Sequence, residues 1–520
     1  MTEDQTVDNP ADLSWNDLIE LPPRRPDDDG QTNESPSLPA ANSVSIAALL
    51  VAMALDQYEL GRTPADSPYV RPLGGHVVRQ MRGGTTGLRS HLAKVYFQRQ
   101  RKIAPSAALT DAIATLEGLA GDAPVREVHL RIAEHDEAIY LDVGDADESV
   151  IVIQGGTWTR TSGDIPVLFR RTSLSAPFVD PCVGGELDLL WESVNVAVED
   201  RPLVIAFLIS ALIQPDVPKP ILALFAEQGS GKSTATRKIV DLIDPSPVPL
   251  KKTPRDAETW TLMASASWVV ALDNLSKVPE WLSDSLCRAS TGDGDVKRTL
   301  YTDDGLSIVK FNRCVIANGI DVGAHRGDLA ERLINAELLR IPSCQRRSEK
   351  DLNDTWEITK PIIFGALLDL AAKVHLHLPS VALVSHPRMA DFAQVLAAVD
   401  SICGTEGLER YLGKAALSAQ DTLSADPFIE RILLTITATF SGGATELLRR
   451  CQPEEISWRQ PLVWPKNSRA VTGILRRNAP AMRSLGWGVE DDGGKNRDGI
   501  AKWTLTPPVE AERTPPIRSN

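Results

Sequence analysis

Apolar residues fall into runs along this chain, separated by polar, Pro- or Gly-rich breaks, and the period of each run predicts an element. Val44 to Leu60 reads as an apolar helix stopped by Gly61, and Ala107–Leu119 as a second helix. Short alternating runs follow at Val128–Ala133, Ala138–Val143, Val150–Ile153 and Val167–Arg171, which predict strands between turns. Leu187–Val198 and Leu203–Ile213 read as helices. Pro215, Pro218 and Pro220 then lead into Ile221–Phe225, whose unbroken apolar character suits a buried parallel strand. A Gly-rich turn and a helix through Lys238 come next.

Downstream, Trp268–Leu272 is an apolar strand ending in Asp273-Asn274, and Pro279–Ala289 is a helix. Asp304-Gly305 predicts a hairpin turn between Leu300–Thr302 and Leu306–Val309. Arg313–Ala317 is a strand, Leu329–Ile334 closes a helix, and Ala336–Ile341 is a last strand. Thr359–Leu378 and Met389–Cys403 are amphipathic helices. Phe428–Phe440 reads as an apolar helix and Pro465–Ala481 as a basic one. Strands at Gly486–Glu490 and Ile500–Thr504 flank a polar turn. Helix, basic helix, hairpin is the order of a winged helix.

These patterns predict an α/β protein. Its parts are an acidic disordered leader (1–43), an N-terminal α+β domain (44–180), a helical lead-in (181–220), an α/β core (221–348), a helical region (349–425), a winged-helix region (426–506) and a disordered tail (507–520). A length of 520 residues is compatible with several cores.

Composition narrows the function. With 55 Lys and Arg against 69 Asp and Glu, the net charge is −14. Such a chain is no general polyanion binder, so any nucleic acid must meet local basic patches. One candidate is Arg71–Lys102, with eight cations and no carboxylate. The six cysteines are scattered without a C-x-x-C pair, which suits reduced thiols and a cytoplasmic location. The longest apolar runs, Ile46–Leu55 and Leu203–Ile213, fall short of the ~20 residues that span a bilayer, so no membrane association is expected.

The chemistry centres on Ala226–Ser233, AEQGSGKS, between a strand and a helix. This is the context of a phosphate-binding loop, and it predicts ATP with Mg²⁺. Backbone N–H groups of Glu227, Gln228, Gly229, Ser230, Gly231, Lys232, Ser233 and Thr234 would surround the phosphates at the positive end of the helix. Lys232 would reach the β- and γ-phosphates, while Ser233 and Asp273 would hold the metal. A cluster of Asp142, Asp145 and Asp147 reads as an Asp-rich turn, with a primase- or nuclease-type metal site as the alternative.

The ordered set Ala226–Ser233, Asp273, Thr291–Tyr301, Asn318 and Arg332 resembles the AAA+ core of superfamily 3 helicases. These are replication ATPases of phages, plasmids and viruses. The layout is also similar to phage- and mobile-element-associated ATP-binding proteins of bacteria. The resemblance implies that Asn318 is a polar sensor and Arg332 an arginine finger acting on a neighbouring subunit. It further implies a ring, such as a hexamer, with Arg326 as the competing finger. It also implies DNA contact by the hairpin, where Lys297 and Arg298 supply the cations.

Two departures stand out. Asn274 occupies the place beside the magnesium carboxylate where relatives carry a base, and the hairpin tip, Asp303-Asp304-Gly305, is acidic. In the tail, Arg469, Arg476 and Arg477 lie on one helix as DNA-binding candidates, with Lys495 and Arg497 at the turn. The reading is an ATPase coupling hydrolysis to DNA unwinding or translocation in mobile-element replication. The alternative is a nucleotide-switched DNA-binding or regulatory protein that unwinds nothing.

Overall fold

A computed structural model describes residues 45–508 apart from 228, 276–277, 294, 299–305, 310–311, 320–326, 425, 453–460, 462 and 494–501. The leader and the tail therefore lie outside the described residues, as do Gln228, Arg326, the hairpin tip, Lys495 and Arg497.

Five parallel strands form the central sheet, in the order Leu250–Lys251, Val269–Leu272, Cys314–Gly319, Ile221–Phe225, Leu333–Glu337. Alternate side chains feed two cores. Leu222, Leu224, Ala271, Ile316 and Ile334 face one, and Ile221, Val270, Leu272, Val315 and Ala317 the other. Burial on both faces is why these strands are uniformly apolar in sequence. The first core is continuous with the helices Arg201–Ile213, Glu349–His377 and Ala390–Cys403 and with an antiparallel meander in the N-terminal region. That meander pairs Ile132–His135, Ala138–Asp142, Val150–Gln154 and Thr157–Thr161 in sequence order. The helix Glu349–His377 is long and apolar enough to cross a membrane by length and composition, but Ile363, Phe364, Leu367, Leu368 and Ala371 are buried in this core.

Several expected boundaries move, each for a local reason. The first helix is Ile46–Gln57, and Tyr58–Arg62 continues as a strand paired with Pro68–Pro72. Gly61 therefore lies inside a strand instead of stopping a helix. A Cβ there would sit 2.4 Å from the Tyr69 ring. The predicted helix Leu187–Val198 contracts to Leu190–Ser193, because Val196 bridges to Leu338 and the Ala197 amide donates to Glu337 O. The hairpin pairs Asp295–Arg298 with Leu306–Val309, so its first arm lies upstream of the expected one.

The last region has its own core, from Leu423 to Leu505. Its elements are helix Pro427–Thr435, strand Phe440–Gly443, helices Ala444–Cys451 and Ser468–Ser484, and strands Gly488–Asp491 and Lys502–Thr506. Lys502–Thr506 lies between the other two strands. Phe440, expected to end a helix, instead opens the first strand, where its ring is buried in this core.

The helix Gly407–Ser424, which leads into that region, is tied to the central sheet through one carboxylate. Asp200 is fully buried and accepts from Lys414 Nζ at 2.5 Å, Arg410 Nε at 2.9 Å and the Glu337 amide at 2.9 Å. Burial alone would raise its pKa, but Lys414, the Glu337 amide and Arg410 outweigh it and hold the carboxyl below its ordinary 3.8. A depressed folded pKa gives stability that is complete above the unfolded value and is lost as pH falls through the folded one. Asp200→Asn should therefore lower the melting temperature at neutral pH and flatten its decline below about pH 4. Equal slopes in wild type and variant would show that Asp200 is not held this way.

Candidate functional site

The loop after Ile221–Phe225 and the start of helix Lys232–Ile243 form one face of the site. Gly229 and Gly231 have φ of +83° and +72°, backbone positions that L side chains resist. Ser230 is buried and donates to Glu227 O at 2.9 Å, which closes the loop. Lys232 Nζ donates to Ala226 O at 2.7 Å and Glu227 O at 2.9 Å, so its ammonium lies within the loop. Glu227 and Gly229 are exposed, and Thr234 is half-buried.

The opposing face comes from two neighbouring strands. Val269–Leu272 delivers Asp273, whose Oδ1 accepts from Ser233 Oγ at 2.8 Å. These two residues are forty apart in sequence. A hydroxyl and a carboxylate meeting beside a lysine form an all-oxygen donor pair, which fits a hard divalent cation such as Mg²⁺. The glycine turns and the helix start fit polyphosphate.

Asn318 lies on the strand between those two, is buried, and uses both ends of its amide. Its Oδ1 accepts from the Asn274 amide at 2.8 Å, and its Nδ2 donates to Thr236 Oγ1 at 2.9 Å. Thr236 Oγ1 in turn donates to Lys232 O at 2.8 Å. A chain of hydrogen bonds thus runs from the loop helix to the residue after Asp273. Asn274 is exposed, with φ of +55°, a left-handed conformation that Asn adopts more readily than most L residues. Gly319 beside it has no room for a side chain: a Cβ would meet Leu275 O at 2.4 Å.

Arg332 departs from its expected setting. It follows the helix Gly327–Ala330 and is buried, with Nη1 2.6 Å from Asp328 Oδ1. Its carbonyl accepts from the Ile221 amide at 2.8 Å, so the strand beginning at Leu333 fixes its backbone. It is turned inward and does not project from an exposed helix.

Two carboxylates of the acidic cluster near the N-terminal meander, Asp142 and Asp145, are paired with arginines, and Asp147 is exposed. Arg171 donates to both Asp142 oxygens, at 2.9 and 2.6 Å, and Arg160 lies 2.6 Å from Asp145. Among the described residues no carboxylate, His or Cys cluster is arranged for a metal. The basic stretch is also partly paired. Arg71 meets Glu59, Arg82 lies 2.7 Å from Glu117, and Arg99 lies 4.0 Å from Asp56. Lys94, Arg101 and Lys102 are exposed. Lys297 and Arg298 lie on the strand Asp295–Arg298, and their side chains are outside the described residues.

In the last region Arg469, Arg476 and Arg477 are all exposed on Ser468–Ser484. Arg476 Nε is 3.3 Å from Asp491 Oδ2, which engages part of its charge.

Comparison with known proteins adds the biological setting. Residues 187–422 match the family model described as actinomycete integrative conjugative element replication protein, and 428–515 match the AICE RepA C-terminal domain. Together the two stretches cover more than half of the chain. The chain belongs to this replication protein family. The first stretch holds the whole loop, Asp273, Asn318 and Arg332, and the second holds the three exposed arginines. A mobile-element replication role follows from that membership. No curated protein matches the chain.

Among solved structures, the chain is similar to the A form apo structure of the NrS-1 C-terminal region. The TM-score is 0.38 at 13% identity, over 89% of this chain and 98% of that one. It is also similar to another apo structure of that region, at TM-score 0.36 and 11% identity over 90% and 100%. Likeness at these scores decides nothing about fold or function.

Thr236 is a site residue that the sequence patterns did not single out. The available signal was its place four residues after Lys232, one helical turn on and facing the same sheet. If the loop binds and hydrolyses MgATP, Thr236→Val is expected to retain binding and lower the turnover rate about 10-fold, with Thr236→Ser restoring it. Full turnover in the Val variant would rule out a positioning role for the hydroxyl.

Proposed function

We propose that this replication protein binds ATP with Mg²⁺ at Ala226–Ser233 and Asp273, hydrolyses it, and couples the cycle to DNA unwinding or translocation. The observation that carries the reading is the 2.8 Å contact between Ser233 and Asp273 beside Lys232. It unites a glycine loop, an ammonium and two oxygen ligands at the ends of parallel strands. Lys232 would exchange two loop carbonyls for phosphate oxygens, and Asn318 and Thr236 would hold the segment at Asn274 in register with the loop. Magnesium, when bound, supplies positive charge to the β- and γ-phosphate oxygens. Ring assembly belongs to the same reading, but Arg332, paired to Asp328, offers no exposed guanidinium to a neighbouring subunit.

A second reading has its own support. Because Asn274 is an amide in a left-handed backbone, the place beside Asp273 provides no proton acceptor. A nucleotide-switched DNA-binding protein with slow hydrolysis would need none. Steady-state ATPase measured with single-stranded and forked DNA, with strand displacement followed in parallel, separates the two. Displacement coupled to turnover supports the first reading, and DNA binding that responds to nucleotide without displacement supports the second.

Two sets of variants test the parts. Lys232→Ala should weaken MgATP binding about 100-fold or more, since it removes two charge-assisted hydrogen bonds to phosphate. Wild-type affinity in that variant would refute the nucleotide site.

For DNA, the last region would act as a winged helix, with the basic helix Ser468–Ser484 as its groove-facing element. Arg469→Ala with Arg477→Ala should weaken DNA binding and reduce the salt slope by about one for each phosphate no longer neutralised. DNA-independent hydrolysis should persist. An unchanged affinity and slope would make this region a protein-interaction module.

A further inference from the structure

We infer that Arg346 is a phosphate-binding arginine supplied to the nucleotide loop by the same subunit, an assignment that rests on the nucleotide-binding reading above. The observation is steric. A Cβ built on Gly229 would lie 2.9 Å from Arg346 Nη2 and 3.7 Å from its Cζ. The guanidinium therefore rests against the loop at Gly229, where a side chain would crowd it. Ile341 reaches the same loop from the same segment, with its Cδ1 3.4 Å from a Cβ built on Gly231. The stretch after Leu333–Glu337 thus passes over both left-handed glycines.

The backbone around Arg346 is anchored. The Gln345 amide donates to Pro342 O at 2.9 Å. Arg347 donates to Thr355 Oγ1 at 2.5 Å and Asp351 O at 3.2 Å, at the start of helix Glu349–His377. Ser348 caps that helix by accepting from the Asp351 amide at 3.1 Å. Arg347 is thus committed to the helix, whereas Arg346 is exposed and has no hydrogen-bond or ion-pair partner among the described residues. An exposed cation without a partner among the described residues, beside a glycine loop that also holds the Lys232 ammonium, has polyphosphate as its natural partner. Arg332, the expected source of such a charge, is already neutralised by Asp328. The guanidinium fork can donate two parallel N–H bonds to phosphate oxygens, which an ammonium cannot match.

Calorimetric titration of the full chain with MgATP tests this. Wild type, Arg346→Ala, Arg346→Lys, Lys232→Ala and Arg340→Ala would be compared, with melting temperatures recorded as a folding control. Arg340 is an exposed arginine on the same segment, and none of its atoms is among those within 4 Å of a Cβ built on Gly229 or Gly231. Arg346→Ala should bind about 10- to 100-fold more weakly, Arg346→Lys should fall between it and wild type, and Arg340→Ala should match wild type. If Arg346→Ala binds as wild type while Lys232→Ala does not, the role of Arg346 is overturned and the nucleotide site stands. Equal weakening in Arg340→Ala and Arg346→Ala would mean a diffuse positive field and also overturns the specific role. If Lys232→Ala binds as wild type, the nucleotide site itself falls, and this assignment with it.

Discussion

Asn318 sits on the strand between the one that launches the glycine loop and the one that ends in Asp273. Its amide forms hydrogen bonds to both sides of the site. A buried amide must satisfy both its donor and its acceptor, and here each goes to a different wall. The loop helix is engaged through Thr236 and the Asp273 end of the neighbouring strand through Asn274. Sliding either element along the sheet would leave one end of this amide unpaired, at a cost of about 1–3 kcal/mol. The site is therefore held at a fixed width before any ligand enters.

The N-terminal meander belongs to the same packed body as the central sheet. Arg131 reaches from it to Asp244 at 2.9 Å, and Asp244 also accepts from the Trp268 and Val269 amides at the start of a central strand. Phe178 stacks on Phe364 with centroids 4.9 Å apart, and Trp158 donates to Asp369 at 2.7 Å. The long helix Glu349–His377 thus has its apolar face consumed by protein. Its start, meanwhile, orders the segment that carries Arg346. One helix connects the N-terminal sheet to the rim of the glycine loop.

Charge is deployed sparingly in this acidic chain. Several arginines near the cores have carboxylate partners: Arg171 with Asp142, Arg160 with Asp145, Arg332 with Asp328. Those pairs neutralise neighbouring acids and leave little field for a polyanion. Arg346 at the loop and Arg469 and Arg477 on the last helix differ, because they are exposed and form no ion pair among the described residues. Local exceptions of this kind are what an acidic protein needs in order to meet phosphate at chosen places.

How much was legible in the sequence depends on how local each signal is. Ile221–Phe225, the glycine turn and the helix from Lys232 were readable because a buried strand, left-handed glycines and a helix start are properties of adjacent residues. Asp273 was also readable, since an apolar strand ending in a carboxylate carries its own pattern. Gly61 misled, because its reason is the Tyr69 ring across the sheet and not its neighbours in sequence. Residues 194–197 read as helical and were drawn instead to the edge of a strand some 140 residues later. Arg332, which the resemblance cast as a finger toward a neighbouring subunit, is turned inward beside Asp328 where the register of Leu333–Glu337 begins. Thr236 had only its spacing from Lys232 to mark it and Arg346 no local pattern, since each acquires its role from a partner brought close only by folding. Local patterning alone determined the loop and its candidate ligands. The parallel sheet, by setting strands distant in sequence side by side, decided which amide, hydroxyl and guanidinium surround them.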